Sequence, residues 1–389
     1  MSKYIHPQFL PDSAEECKHR KMAFVLELVL VLAILLGWWF VVDKRNHKKY
    51  PPGPLRLPIL GNILQIAAQS PFPSIAFANL SKKYGEVMYL KMGMVSAVTF
   101  NSPQSVHEIL SHDKTVERNR TMLPMIEARQ YGQNLGIIFS SSEPWQKMRR
   151  FTIRTLRDFG FGKAASMDVA IAEELEKFTD HLKNLMSKDG VVQAGSETSS
   201  KTMSFAMLYL LTHQNIQEKV QKELDEVVGK GQEVTMEEKG RLPYTQAVVL
   251  ESLRYSVVVP FPPARQASDD FYFHDYFIKK GAIIMPNLEA VHFDEALWGD
   301  PKNFRPERFL KKDMTINSEL ANKLVHFGGG KRVCLGQNLA ESTIFVYFAN
   351  ILSKFQLVKV AGDPEPTTVP EQGMSYSPQP FRVIFKSRK

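Results

Sequence analysis

Phe327 to Gly336 reads F-G-G-G-K-R-V-C-L-G, a string in which a lone cysteine follows three glycines and is followed at once by a helix start. Glycines at 328, 329 and 330 lack a Cβ and let backbone approach a planar ligand, and Gly336 does the same on the other side of Cys334. A helix is expected to begin near Gln337, and its N-terminal N–H groups favour a thiolate, so the sulfur can serve as an axial metal ligand. A buried structural cysteine is the other reading of a free thiol. Only two cysteines occur, Cys17 and Cys334, so neither a disulfide framework nor a multi-cysteine zinc site can form within the chain. A reducing compartment is the default for the main domain.

The 389 residues are 44% hydrophobic and 23% charged, enough apolar matter for a substantial core, and disorder is excluded. The formal charge of +8 suits an anionic membrane surface or an acidic partner as readily as nucleic acid, and selects none of them. Residues 1–21 form an N-terminal extension, and Met22 is an alternative start. Residues 22–42, interrupted only by Glu27, are long enough for one transmembrane anchor, with Trp38 and Trp39 at an interface and Lys44, Arg45, Lys48 and Lys49 beyond it. Lys18, Arg20 and Lys21 flank the other end, so charge leaves the orientation nearly balanced. A cleaved signal peptide is the alternative, disfavoured because the apolar run is too long. Residues 43–58 form a basic, proline-rich hinge containing P-P-G-P at Pro51 to Pro54, and residues 59–389 form the globular body. Glu86 to Lys91 and Val95 to Phe100, flanking Gly93, predict a β-hairpin. Apolar periodicity predicts helices over Ala164 to Met186, Lys201 to Val228, Tyr244 to Tyr255 and Leu339 to Lys354, so the body is mainly α with a minor β-sheet.

Phe327, Gly330, Arg332, Cys334 and Gly336 meet the five fixed positions of F-x-x-G-x-R-x-C-x-G, and the chain resembles the cytochrome P-450 superfamily. The resemblance implies the fold of that family behind a transmembrane helix. It implies haem b (iron protoporphyrin IX) with Cys334 as the iron ligand and Arg332 as a propionate partner. Glu251 and Arg254 match its E-x-x-R, 83 residues (334 minus 251) ahead of the cysteine, and Arg308 matches the arginine of its P-E-R-F; together they resemble the family's structural Glu-Arg-Arg cluster. Ala194 to Ser199, A-G-S-E-T-S, resembles the oxygen-activating helix segment, which implies Thr198 holding dioxygen and its water and Glu197 in the proton relay. There Thr198 is expected to bond back to helix carbonyls and open the helix locally. Read alone, the segment is equally a Ser/Thr-rich helix start. Trp145 and Arg149 match W-x-x-x-R, a propionate-binding pair, and Arg265 stands where the family has a propionate-binding His or Arg; Arg118 is a weaker candidate of the same kind.

The anchor, the hinge and the string from Arg149 to Lys163 resemble the microsomal animal branch. That implies the endoplasmic reticulum membrane, with the catalytic domain on the cytosolic side. It also implies NADPH-cytochrome P-450 reductase as partner, cytochrome b5 as a second candidate donor, and no nucleic acid. Lys147, Arg150 and Lys331 are candidate docking charges for an acidic reductase surface, and equally ordinary solvated surface. Leu123 to Ile138, Val257 to Phe261 and Gly373 to Ser377 fall where the family contacts substrate, and their apolar character implies a lipophilic small molecule such as a steroid, fatty acid or xenobiotic. The activity implied is a monooxygenase.

One departure stands out. Only 49 residues (194 minus 145) separate Trp145 from Ala194, roughly a hundred fewer than the family pattern, so a deletion is expected near 191–194. It would remove the substrate roof and the first half of the oxygen helix. A splicing event, a gene-model error or a decayed duplicate would each leave this pattern. The alternative function is therefore an inactive or merely haem-binding membrane-anchored variant.

Overall fold

The computed structural model describes residues 50–93, 95–119, 133–158, 171–178, 191–192, 198–373 and 375–388, with 21–31 and the single positions 18, 33, 34, 37, 128, 131, 160, 169 and 180. The chain is mainly helical with minor sheets, as its periodicity predicts. The hairpin forms: β1 (Val87–Met92) and β2 (Val95–Phe100) pair antiparallel, and Gly93 in the turn takes a φ of 61°, open to a residue without a Cβ. Beyond it come β3 (Glu117–Arg118), β4 (Val191–Val192), β5 (Arg265–Gln266), the hairpin of β6 (Phe271–Phe273) and β7 (Tyr276–Ile278), and β8 (Ile283–Pro286). One five-stranded sheet has the order β1-β2-β8-β5-β3. Its edge register sets Arg118 opposite Arg265, two arginines far apart in sequence. A second sheet joins β9 (Phe355–Lys359) and β10 (Val383–Ser387) to β4, so the residues beside the expected deletion pair with the C-terminal strand.

The principal helices are α1 (Pro73–Tyr84), α2 (Pro103–Ser111), α3 (Ser142–Asp158), α4 (Thr198–Thr212), α5 (Gln214–Val227), α6 (Pro243–Ser256), α7 (Leu288–His292) and α8 (Gln337–Lys354). Ser102 and Ser105 cap α2 reciprocally. α4 is buried from Thr202 to Leu211 on every face, the pattern of a central helix, and packs against α5, α6 and α8. The single helix expected over Lys201 to Val228 is two. His213 leaves helical geometry at φ −128° and ψ 67°, where the Thr212 hydroxyl donates to Tyr209 O at 3.0 Å and Gln214 Nε2 donates to Leu210 O at 2.9 Å. Side chains thus bond back to carbonyls of the last turn, of which Tyr209 O also keeps its backbone bond from His213 N at 2.9 Å. Of the helix expected over Ala164 to Met186, residues 171–178 are described and helical, with Ile171 and Leu175 in the central core.

Glu251 is fully buried and receives Arg254 Nε and Nη2 at 2.8 Å each and Arg308 Nε at 3.1 Å. The remaining guanidinium protons reach the carbonyls of His292, Trp298, Asp300 and Asn303. This is the expected Glu-Arg-Arg cluster. It ties α6 to the turn at Pro306–Phe309 with the buried charges paired and hydrogen-bonded, as desolvation requires.

Residues 21–31 are helical and exposed. Among the described residues no helix is long and apolar enough to cross a membrane. Eight positions of the expected 22–42 span, 32, 35, 36 and 38–42, lie outside the described residues.

Candidate functional site

The cysteine loop is held from behind. Gly330 has a φ of 63°, and a Cβ there would collide with the carbonyl oxygen of Leu110 and meet Ser111 Cα at 2.9 Å; one on Gly329 would meet Leu110 Cβ at 3.3 Å. The middle glycines are therefore required by the close approach of the chain's own helix α2. Gly336 and Gly328 face open space, the latter at φ 73°. The Cys334 amide donates to Phe327 O at 3.0 Å, closing the loop so that the cysteine sits exposed just before α8 begins.

Around this loop the fold gathers the expected arginines. Arg332 is buried, donating to Val116 O at 2.8 Å and Ser140 O at 2.6 Å, and its guanidinium lies 3.8 Å from the centre of the Trp145 ring. Such a cation over an indole face is attracted by the ring quadrupole. Arg149, one turn along α3 from Trp145, donates to Val333 O at 3.2 Å. Arg265 donates to Leu110 O at 2.6 Å and Gly329 O at 2.8 Å, fastening α2 to the glycine loop. Arg118 donates to Ile138 O at 3.1 Å and to Pro263 O.

No carboxylate among the described residues hydrogen-bonds the Arg118, Arg265 or Arg332 guanidinium; their partners are backbone carbonyls. Burial, joined by repulsion from Arg118, pushes Arg265 and Arg332 down to about 9, and burial alone brings Arg118 to about 10. The Arg265 Nε proton is buried without an acceptor. Three desolvated cations around one loop are an unfinished electrostatic arrangement, because a buried charge is stable only with a counter-charge. The two propionates of a porphyrin would supply it, with Cys334 available at the exposed face of the loop. The residues present fit haem.

Glu197 lies outside the described residues. Thr198 is exposed and is the first described residue of α4; hydroxyls further along bond back into this helix, that of Thr202 to Thr198 O at 2.9 Å and that of Ser204 to Ser200 O at 2.8 Å. Of the stretches expected to contact substrate, Val257–Phe261 and the described part of 373–377 meet at Tyr376, whose amide donates to Val258 O at 2.7 Å. Half of Leu123 to Ile138 falls outside the described residues.

Two groupings escaped the sequence reading. His292 is buried and His326 half-buried, with ring centres 6.2 Å apart, and three of their four ring nitrogens have no partner among the described residues. Glu289 is tucked between Ser74 and Tyr376. Neither carries a sequence signal, because the partners come from separate elements.

The model for the cytochrome P450 family matches residues 51–193 and 186–385, two segments that meet at the expected deletion. Similar curated proteins include the farnesoate epoxidase of Bombyx mori, 25% identical and covering 93% of this chain and 99% of that protein. Others are cytochrome P450 2C16 of Oryctolagus cuniculus, 27% identical over 86% and 92%, and cytochrome P450 2J5 of Mus musculus, 26% identical over 84% and 89%. The alignment to the first runs over 493 positions, whereas 93% of 389 residues is about 362, so at least about 130 positions (493 minus 362) have no residue of this chain opposite them.

Proposed function

Because the chain belongs to the cytochrome P450 family, we propose that it is built around haem b as a monooxygenase-type oxidoreductase, inserting one oxygen atom of O2 into a lipophilic small molecule such as a steroid, fatty acid or xenobiotic. The observation that carries this reading is the cluster of Arg118, Arg265 and Arg332, buried without a carboxylate partner around the Cys334 loop. Arg332, Arg265 and Arg118 would hold the propionates, Trp145 orients Arg332, and Arg149 fixes the loop carbonyl one residue before the cysteine. Cys334 would be the axial ligand. A haem with a thiolate ligand supplies the chemistry of O–O cleavage when bound. Glu197 and Thr198 would deliver protons and hold water on the opposite side. Electrons would come from NADPH through its cytochrome P-450 reductase, with cytochrome b5 as a second donor. Lys147, Arg150 and Lys331 would form the docking charges; Lys147 and Lys331 now face Glu143 and Asp113 in exposed pairs, which are weak enough to exchange for a partner's acids. Residues 22–42 would anchor the chain in the endoplasmic reticulum membrane with the body in the cytosol.

The experiment is a reduced-carbonyl difference spectrum of the full chain and of Cys334→Ser. The wild type should give the red-shifted Soret band of thiolate ligation and the variant should lose it. An unaltered spectrum in the variant overturns the assignment.

A second reading has its own support: about 130 alignment positions without a residue, and an exposed Thr198 at the start of the described α4. In that reading a deletion near 191–194 has removed the roof over the haem, and the chain binds haem without shielding it. Exclusion of water is what couples reductant to product, so a roofless chain consumes reductant without yielding product.

A further inference from the structure

Away from the cysteine loop, a cavity of about 220 Å³ lies between α1, the ends of α4 and α6, α7 and the chain near Val369. Its walls are largely aromatic, among them Phe72, Tyr255, Phe293 and Tyr376, with Phe72 and Tyr376 edge to face at 5.6 Å. One wall group is acidic. Glu289, in α7, accepts hydrogen bonds at a single oxygen, Oε2, from the hydroxyls of Ser74 and Tyr376, the latter at 3.2 Å, and those two hydroxyls contact each other at 2.8 Å. Its second oxygen, Oε1, has no hydrogen-bond partner among the described residues, and the residue lines the cavity.

Among the described residues no cation pairs with this acid. Arg254 stacks on Tyr255 and Phe293 but is bound to Glu251, and Lys201 reaches the neighbouring loop and donates to Ser375 Oγ at 2.7 Å. Burial holds the Glu289 carboxyl above its ordinary value, the two hydroxyls opposing the rise, as befits an acid without a counter-ion. A carboxyl group in the wall of a small space lined by aromatic rings recognises positive charge twice over, by ion pairing and by attraction to ring faces.

We infer that this cavity is a binding site for a small lipophilic ammonium ion, its charge set against Glu289 Oε1 and its apolar part against the aromatic walls. The volume lies below the roughly 300–1,000 Å³ of drug-sized sites, so the occupant is a compact amine or the head of a longer one. None of the named residues belongs to the cysteine loop or the arginine cluster, so this binding does not depend on haem.

The probe is benzyltrimethylammonium, which cannot ligate iron, with neopentylbenzene as its uncharged isostere, both measured by equilibrium dialysis against the full chain. Saturable binding of the cation is expected. Glu289→Gln should weaken the cation about tenfold or more while leaving the isostere within about twofold. Val369→Trp, at a half-exposed wall position where a larger ring is tolerated, should weaken both. Absence of saturable cation binding, an unchanged cation affinity in Glu289→Gln, an equal loss of both probes there, or indifference of both to Val369→Trp would each overturn the assignment. Should Glu289→Gln fail to fold, the wild-type saturation and the Val369→Trp loss decide it.

Discussion

Removing the Glu251 carboxylate strands two buried guanidiniums. Glu251→Ala should cost about 3–5 kcal/mol in urea unfolding, because the penalty is that of leaving Arg254 and Arg308 desolvated and unpaired. The histidines predict a pH response of defined sign. Burial pushes His326 down to about 4, and His292 well below its ordinary value, so the fold keeps both neutral while the unfolded chain takes up protons below about 6.5. Stability present above about pH 6.5 should therefore fall as pH drops toward about 4. Urea midpoints at pH 7, 6 and 5 check this, and His326→Leu should flatten the decline. Glu251 and Arg254 were readable as a helix-spaced pair, since positions three apart share a face. The histidine pair was not, because His292 and His326 meet only through packing of α7 against the loop ahead of the cysteine.

At the scale of elements, the glycines of the cysteine loop divide by what lies behind them. Gly330→Ala places a Cβ against the Leu110 carbonyl at a left-handed φ, and should destabilise the chain by about 2 kcal/mol or more. Gly336→Ala meets nothing within 4 Å and should leave the unfolding midpoint within about 0.5 kcal/mol. Thermal and urea unfolding of the two variants side by side test the contrast. The hairpin and the helices α6 and α8 were legible because local alternation and periodicity carry them. The break at His213 was not: apolar spacing runs through it, and the interruption comes from side chains competing for carbonyls.

At the level of the whole molecule, a missing roof predicts a loss in coupling and not in architecture. Val191–Val192 still pairs with β10, and the core around α4 still closes, so the chain folds around its haem-side half. Reconstituted with reductase and a lipophilic substrate, it should consume NADPH with little product per NADPH, most of the reductant going to reduced oxygen species. Product formed in near one-to-one ratio with NADPH would show that the site is roofed after all.

The cysteine loop, the Glu-Arg-Arg cluster, the hairpin, the helical class and the arginines worth watching are legible in the chain alone, because each is written in local spacing or in a short fixed string. Packing alone reveals that Arg118, Arg265 and Arg332 converge without an acid among the described residues, that Gly330 yields to Leu110, and that Glu289 lines an aromatic cavity. These depend on which distant segments are pressed together and on what burial then does to charge, and neither is encoded in the neighbours of a residue along the chain.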